Sequence, residues 1–113
     1  MTQINPRKQN GSFKSINVVN LDEVTTATIG SSVNTEAYDN KSIFVTVSSN
    51  TGAVTVTVEG SVDGTGWVTI DATTWTSSNG TAIVKANDYY PLIRTKTTTQ
   101  STSTVKTTIT GKN

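Results

Sequence analysis

The chain has 113 residues, a formal net charge of +1, and neither cysteine nor histidine. Its length predicts one domain. The absence of cysteine excludes disulfides and thiolate nucleophiles. The absence of histidine removes the commonest general base and the commonest metal ligand. Threonine makes up roughly a fifth of the residues and suits pleated strands, whereas leucine and alanine, which favour helices, are scarce. The composition therefore predicts an all-β protein.

The N-terminal segment differs from the rest of the chain. Residues 1–14 are polar, carry Pro6 and Gly11, and show no periodicity, so we expect an extended arm followed by a single β-sandwich domain over residues 15–113. The segment lacks the apolar run of a signal peptide, and no stretch approaches the roughly 20 apolar residues of a membrane helix. We therefore expect a protein that is made in a cytoplasm and has no membrane partner.

Short runs of strand-forming residues then alternate with turn residues along the chain. In order, they cover residues 15–21, 24–29, 33–38, 42–48, 53–62, 67–71, 81–86, 89–97 and 102–110. These nine runs, separated by turns every eight to twelve residues, need not all form strands. They predict an antiparallel β-sandwich of seven or eight short strands, either jelly-roll or immunoglobulin-like.

The clearest alternation lies between Asn40 and Ile70. Apolar residues occupy every second position of two runs, which Asn50-Thr51-Gly52 connects as the turn of a predicted hairpin, and Asp63-Gly64 makes the next turn. Because alternate side chains of a strand point to opposite faces, each run has one buried and one hydroxylated face. The residues that we expect in the core are Ile43, Val45, Val47, Val54, Val56, Val58, Val68 and Ile70.

The later strands carry weaker signals. Residues 72–80 are polar and predict a loop that contains Trp75. Pro91 near the start of its run predicts an edge strand or the first position of a strand. The last run has only Val105 and Ile109 as apolar residues on one face, which predicts an edge strand that another subunit completes.

No pattern indicates catalysis. Glu59, Asp63 and Asp71 could supply the carboxylate pair of a glycosidase, but Asp63 precedes a glycine in a turn, where its side chain binds its own backbone. Asp63, Asp71 and Asp88 do not form a calcium-loop motif. We expect turn carboxylates, no enzyme activity, and neither a metal nor another cofactor.

The aromatic residues cluster in the second half of the chain. Trp67 opens a strand directly after a turn, which favours a ring that closes one end of the core. Trp75 lies among threonine and serine, and tryptophan is enriched at binding hot spots, so we expect it to contact a partner. Exposed Trp75, Tyr89 or Tyr90 could also stack on sugar rings, which leaves a carbohydrate-binding module as an alternative.

Most basic residues lie towards the two ends of the chain, and only Lys41 and Lys85 fall among the acidic residues of the middle. All eight acidic residues fall between Asp22 and Asp88, and this separation can steer association with a complementary surface, including another copy. We expect Arg7, Lys8 and Lys14 of the arm to pair with acidic groups of a partner. The sequence pI of about 8.0 is modest for a nucleic-acid-binding protein, so we expect no nucleic acid as a ligand.

The segment G-S-V-D-G-T-G-W-V-T-I at 60–70 resembles the hairpin of small β-sandwich virion proteins of tailed viruses, namely head-decoration (cement) proteins and auxiliary capsid or tail components. The segments A-Y-D-N-K-S-I-F-V-T-V and Y-Y-P-L-I-R-T-K are similar to theirs too, and the resemblance covers about residues 33–97. Discoidin-like jelly rolls share the hairpin but are larger domains. The resemblance implies a structural, oligomeric role without catalytic residues.

We therefore expect a structural virion protein that decorates and stabilises a capsid. Its predicted partners are other copies of itself, with a trimer favoured, and a major capsid or other virion protein. The alternatives are a carbohydrate-binding module or receptor-binding tip, and a subunit of a non-viral filament or surface layer.

Overall fold

A computed structural model describes residues 15–88, 90–100 and 102–113. These residues form eight strands and no helix, so they contain no helix long and apolar enough to cross a membrane. The strands are β1 (Ser15–Val24), β2 (Val33–Asn34), β3 (Asn40–Ser48), β4 (Ala53–Ser61), β5 (Trp67–Thr76), β6 (Gly80–Lys85), β7 (Leu92–Thr98) and β8 (Thr104–Lys112).

The strands form two antiparallel sheets of four. One sheet has the order β1-β8-β3-β6, and the other has the order β2-β7-β4-β5. Every strand pair within the sheets is antiparallel. Because strands that follow each other along the chain mostly lie in different sheets, the sandwich has jelly-roll wiring rather than the immunoglobulin alternative.

This connectivity shows that one predicted strand pairing, between the strands on either side of Asn50-Thr51-Gly52, is wrong. The alternation in β3 and β4 is confirmed, but the two strands do not form a hairpin, because β3 pairs with β6 and β8 while β4 pairs with β5 and β7. The turn after β3 carries the chain from one sheet to the other. The side chain of Asn50 is buried there and donates to the carbonyl oxygens of Trp75 and Ser78, at 3.2 and 3.1 Å. The predicted β4–β5 hairpin at Asp63-Gly64 is correct.

Several predicted boundaries also change. The expected strand at 24–29 is absent, since β1 continues to Val24 and only an isolated bridge from Ile29 to Lys96 follows. The short strand at 33–38 contracts to β2. The expected polar loop at 72–80 is wrong for most of its length, because β5 continues to Thr76 along β4. Pro91 directly precedes β7, as expected for a proline at the entry to a strand, whereas the alternative of an edge strand is wrong because β7 is an inner strand.

The core lies between the two sheets. Six of the predicted core residues, the alternating apolar residues of β3 and β4, are almost completely buried. Ile70 is partly buried against the core, but Val68 is 52% exposed, so it is not the core residue that was predicted. Val68 lies opposite Gly60, on the inward face, but it is the second residue of the edge strand β5, where half of its side chain remains exposed.

The last strand is also not an edge. β8 lies between β1 and β3, and its inward residues Val105, Thr107 and Ile109 are fully buried. The strand has few apolar residues for a different reason. Its buried Thr107 carries a hydroxyl that lies 2.7 Å from the hydroxyl of Thr95 on the opposite sheet. A threonine that is hydrogen-bonded across the interior can therefore occupy an inward position at which an aliphatic residue was expected.

Candidate docking face and cation cluster

An apolar row crosses the outer face of the β1-β8-β3-β6 sheet. Val19 lies opposite Thr108, Thr108 opposite Phe44, and Phe44 opposite Ile83, so one residue from each strand stands in the row. Val19, Phe44 and Ile83 are 47%, 46% and 56% exposed. Large apolar side chains that lie together on a surface, unlike scattered ones, mark an interaction site. We call this outer face, with its apolar row, the docking face.

Lysines flank the row. Lys85 lies opposite Ser42 in the next row, and Lys112 lies opposite Asn40 and Ser15 at the end of the sheet. A depression of about 360 Å³ on this side is lined by Ser15, Ile16, Asn17, Lys85, Thr110 and Lys112, among others. On the other side of the row Lys106 lies opposite Thr46, and there the irregular end of β1 also carries Asp22 and Glu23. The side with Lys85 and Lys112 is therefore the cationic one.

The predicted partner-binding residues Arg7, Lys8 and Lys14 lie outside the described residues, as does the whole expected arm. The described chain begins at Ser15, which pairs with Lys112. The basic segment therefore joins the sheet at the end of the docking face where Lys85 and Lys112 lie.

Sequence reasoning did not identify the docking face. A signal exists, because three of its strands contain two adjacent apolar residues, namely Val18-Val19, Ile43-Phe44 and Ile83-Val84. Adjacent residues of a strand point to opposite faces. Each pair therefore indicates an apolar residue on the surface as well as one in the core.

A charged group of side chains occupies the outer face of the other sheet. Arg94 Nε lies 2.9 Å from Glu59 Oε1, and Lys96 Nζ lies 3.1 Å from Glu59 Oε2. The Arg94 guanidinium also covers the ring of Trp67, with Cζ 4.0 Å from the ring centroid. We call Glu59, Trp67, Arg94 and Lys96 the cation cluster, since two cations surround one carboxylate.

The carboxylate of Glu59 is held in its charged form. Its side chain is only 8% exposed, and this burial raises its pKa. Hydrogen bonds from Arg94 and Lys96 outweigh burial, so the pKa of Glu59 lies below its usual value. Glu59 faces outward as predicted, but its role is to anchor two cations. The predicted catalytic alternative needed a second carboxylate, and the groups beside Glu59 are basic.

The positions of the two tryptophans are the reverse of those predicted. Trp67 does not close the core; it lies on the outer face, where its indole N–H donates to the Gly64 carbonyl at 3.3 Å and its ring contacts Arg94. Trp75 lies in β5 opposite the fully buried Val54 and packs against the core. Its Nε1 atom is buried and has no hydrogen-bond partner among the described residues.

The other predicted carboxylates have structural contacts. Asp63 Oδ1 accepts hydrogen bonds from the N–H groups of Thr65 and Gly66, at 2.8 and 2.9 Å, as expected for a turn residue. The N–H groups of Gly66 and Thr65 lower the pKa of Asp63. Gly64 follows with a φ of 82°, which glycine adopts without strain. Asp71 accepts from the hydroxyl of Thr73 at 3.0 Å.

A buried lysine lies at one end of the sandwich. Lys41 is 4% exposed, and its ammonium donates to the carbonyl oxygens of Asp88 and Tyr90 at 3.0 and 3.4 Å. Burial lowers the pKa of Lys41, against the opposing charges of Asp39 and Asp88. Tyr90 packs on the core, whereas the predicted sugar contact at Tyr89 falls outside the described residues. The described residues contain no group of three side chains suited to a metal ion.

Comparison with known proteins gives likeness in fold but not in sequence. No family model matches the chain, and no curated protein matches it by sequence. The crystal structure of the SPBc2 prophage-derived protein YomS is similar, with a TM-score of 0.65 and 5% identity, and the match covers 89% of this chain and 95% of that one.

Two other similar structures are a protein of the Bacillus endospore appendages, which are disulfide-linked pili, and PirA. Both have a TM-score of 0.49. The appendage protein is 19% identical, and the match covers 88% of this chain and 84% of that one. PirA is 10% identical, and the match covers 96% of this chain and 100% of that one. The chain thus shares the fold of a prophage-derived protein over nearly its whole length.

Proposed function

We propose that the chain is a structural protein of a phage particle, and specifically a capsid decoration protein that attaches to the shell as a homo-oligomer, with a trimer as the first choice. It acts by binding and not by catalysis. The observation that carries this proposal is the docking face, where exposed apolar side chains of β1, β3 and β6 lie in one row with Thr108 of β8.

The form of the docking face favours a protein partner. Apolar side chains at the centre of an interface, with polar groups around them, are the usual arrangement of a protein–protein contact. The threonines and serines beside the row lose little rotamer entropy when they are covered and can donate and accept hydrogen bonds.

Charge indicates the chemistry of that partner. Lys85 and Lys112 flank one side of the row, and the basic N-terminal segment joins the sheet at the same end. Two copies that met through this side would bring like charges together. The partner that fits is therefore a major capsid or other virion protein whose apolar patch is bordered by carboxylates, while contacts between copies use other surfaces.

The fold supports a phage origin. The similar structure of largest TM-score given above is prophage-derived, and jelly rolls are frequent in viral capsid proteins. The described carboxylates support a role without catalysis, because Glu59, Asp63 and Asp71 are each engaged in local structural contacts. A sugar contact through Trp75 is disfavoured, because its ring packs against the core.

Location and attachment test the proposal directly. Antibody labelling of purified phage particles should place the chain on the shell, and native mass spectrometry should detect an oligomer of the free protein. Deletion of residues 1–14 should leave the strand signature of the circular dichroism spectrum unchanged but reduce co-sedimentation with particles. Added salt should also weaken attachment, because exposed ion pairs are screened. Absence of the chain from particles would refute the proposal.

A further inference from the structure

We propose that the cation cluster is a second binding site, which takes the carboxylate groups of an acidic polysaccharide on the face opposite to the docking face. This function is separate from attachment to a shell. It would let one sheet hold the particle while the other sheet meets a surface glycan.

Arg94 is prepared for such a ligand. Its guanidinium is fixed by Trp67 on one face and by Glu59 at Nε. Its terminal nitrogens make no hydrogen bond to a described residue, and they are not among the buried unpaired atoms of that part of the chain. The Arg94 side chain is 23% exposed, so a ligand can reach it from solvent. An arginine fork with free terminal donors matches the two oxygens of a carboxylate.

Lys96 adds a second cation. Lys96 follows Arg94 by two residues in β7, so both side chains lie on the same face of the sheet. The Lys96 side chain is 29% exposed. Glu59 neutralises only one of the two charges and is itself nearly covered. The cluster thus keeps a net positive charge at the surface, and the conformational freedom of both cations is already reduced before a ligand arrives.

The surroundings of the cluster favour a sugar over a protein carboxylate. The register places threonines near it on the same face: Thr69 lies beside Glu59, and Thr55 lies between Thr74 and Thr98. Thr57, beside Lys96, is buried. The hydroxyls of Thr55 and Thr74 lie 2.9 Å apart at the surface. Hydroxyl groups can donate to and accept from sugar hydroxyls. The exposed Ile29 pairs with Lys96 at the border of the cluster, but the strand positions beside Glu59 and Lys96 on β4 and β5 carry no large exposed aliphatic side chain.

Affinity electrophoresis of the full chain tests the proposal. Three polymers serve as probes in native gels: polygalacturonate, which is an acidic polysaccharide; dextran, which is a neutral one; and polyglutamate, which carries carboxylates without sugar rings. Arg94→Lys is the test variant, because it keeps the charge next to Glu59 but loses the fork and the stacking on Trp67. Phe44→Ser on the docking face is the control, and thermal melts check that both variants fold.

Polygalacturonate should retard the wild-type chain more than polyglutamate does, and dextran should not retard it. Arg94→Lys should bind polygalacturonate about tenfold more weakly, as expected for lost hydrogen bonds to a charged group, while Phe44→Ser should bind like the wild type. Three results would each overturn the proposal: no retardation by polygalacturonate, equal retardation by polyglutamate, or unchanged binding by Arg94→Lys. Phe44→Ser should impair shell attachment and not polysaccharide binding, whereas Arg94→Lys should impair polysaccharide binding. The two proposed functions can therefore fail independently of each other.

Discussion

The hydroxyl oxygens of Thr95 and Thr107 lie 2.7 Å apart in the interior and join β7 of one sheet to β8 of the other. The direction of the hydrogen bonds follows from their neighbours. The Leu21 N–H donates to Thr107 Oγ1 at 3.0 Å, and Thr95 Oγ1 donates to Asn20 Oδ1 at 2.6 Å. The Thr107 hydroxyl therefore donates to Thr95, which completes a satisfied chain of polar groups from β1 through both sheets.

Substitution of Thr107 by valine should destabilise the fold although the two side chains have nearly the same shape. Valine removes the acceptor of the buried Leu21 N–H and the donor to Thr95. An unsatisfied buried polar group costs about 1–3 kcal/mol, so the free energy of unfolding from urea titration should fall by about that amount. The control is Thr108→Val on the outer face, which should change it by less than about 0.5 kcal/mol. Equal effects would contradict the role of the Thr95–Thr107 contact.

The two valines Val56 and Val68 should respond differently to a charge. Val56 is 2% exposed, and Val68 is 52% exposed. An unpaired buried carboxylate costs several kcal/mol, so Val56→Asp should unfold the domain, whereas Val68→Asp should leave it folded. Far-ultraviolet circular dichroism during thermal unfolding measures both variants. A folded Val56→Asp protein would contradict the core described above.

Gly80 should resist replacement because Trp75 occupies the space beside it. A Cβ atom on Gly80 would lie 2.9 Å from Trp75 Cζ3, whereas one on Gly66 would have no neighbour within 4 Å. Overpacking costs about 1–3 kcal/mol, so Gly80→Ala should lower the free energy of unfolding by that amount and Gly66→Ala should not. In a Trp75→Phe background the smaller ring should relieve the clash. If Gly80→Ala costs the same in both backgrounds, the contact with Trp75 is not its cause.

Acid should weaken the cation cluster. The folded pKa of Glu59 lies below its usual value, because Arg94 and Lys96 outweigh the effect of burial. The unfolded chain therefore takes up the proton first as the pH falls. The stabilisation by Glu59 is complete above the ordinary carboxyl range of about pH 4 to 5, and it is lost as the pH falls through the folded pKa. Glu59→Gln should lower stability at pH 7 and flatten its decline in acid. A decline as steep as that of the wild type would contradict this account.

The sequence predicts the strands better than it predicts their partners. Alternation in β3 and β4 locates the core residues correctly because burial on one face is a local property of each strand. Which strand lies beside β3 depends on β6 and β8, which are distant in the chain. A short turn such as Asn50-Thr51-Gly52 serves a hairpin or a crossing between sheets, and its residues do not distinguish the two.

The candidate sites show the same limit. Arg94 and Lys96 are visible as alternating cations on one strand, but Glu59 and Trp67 join them only through the register of β4 with β7 and β5. The contrast between Trp67 and Trp75 likewise depends on the irregular register of β5. Turn chemistry is local, and for that reason the role of Asp63 could be predicted correctly from Asp63-Gly64 alone.

Co-sedimentation of the chain with phage particles that lack it tests the central claim most directly. Phe44→Ser removes the centre of the apolar row, and Val68→Ser is a matched control, since Val68 is similarly exposed but lies in the other sheet. Buried apolar area at an interface contributes about 25 cal/mol per Å², so loss of the ring should weaken attachment by about tenfold or more. We predict that Phe44→Ser fails to sediment with particles while Val68→Ser sediments like the wild type. Equal sedimentation of all three proteins would contradict the docking face.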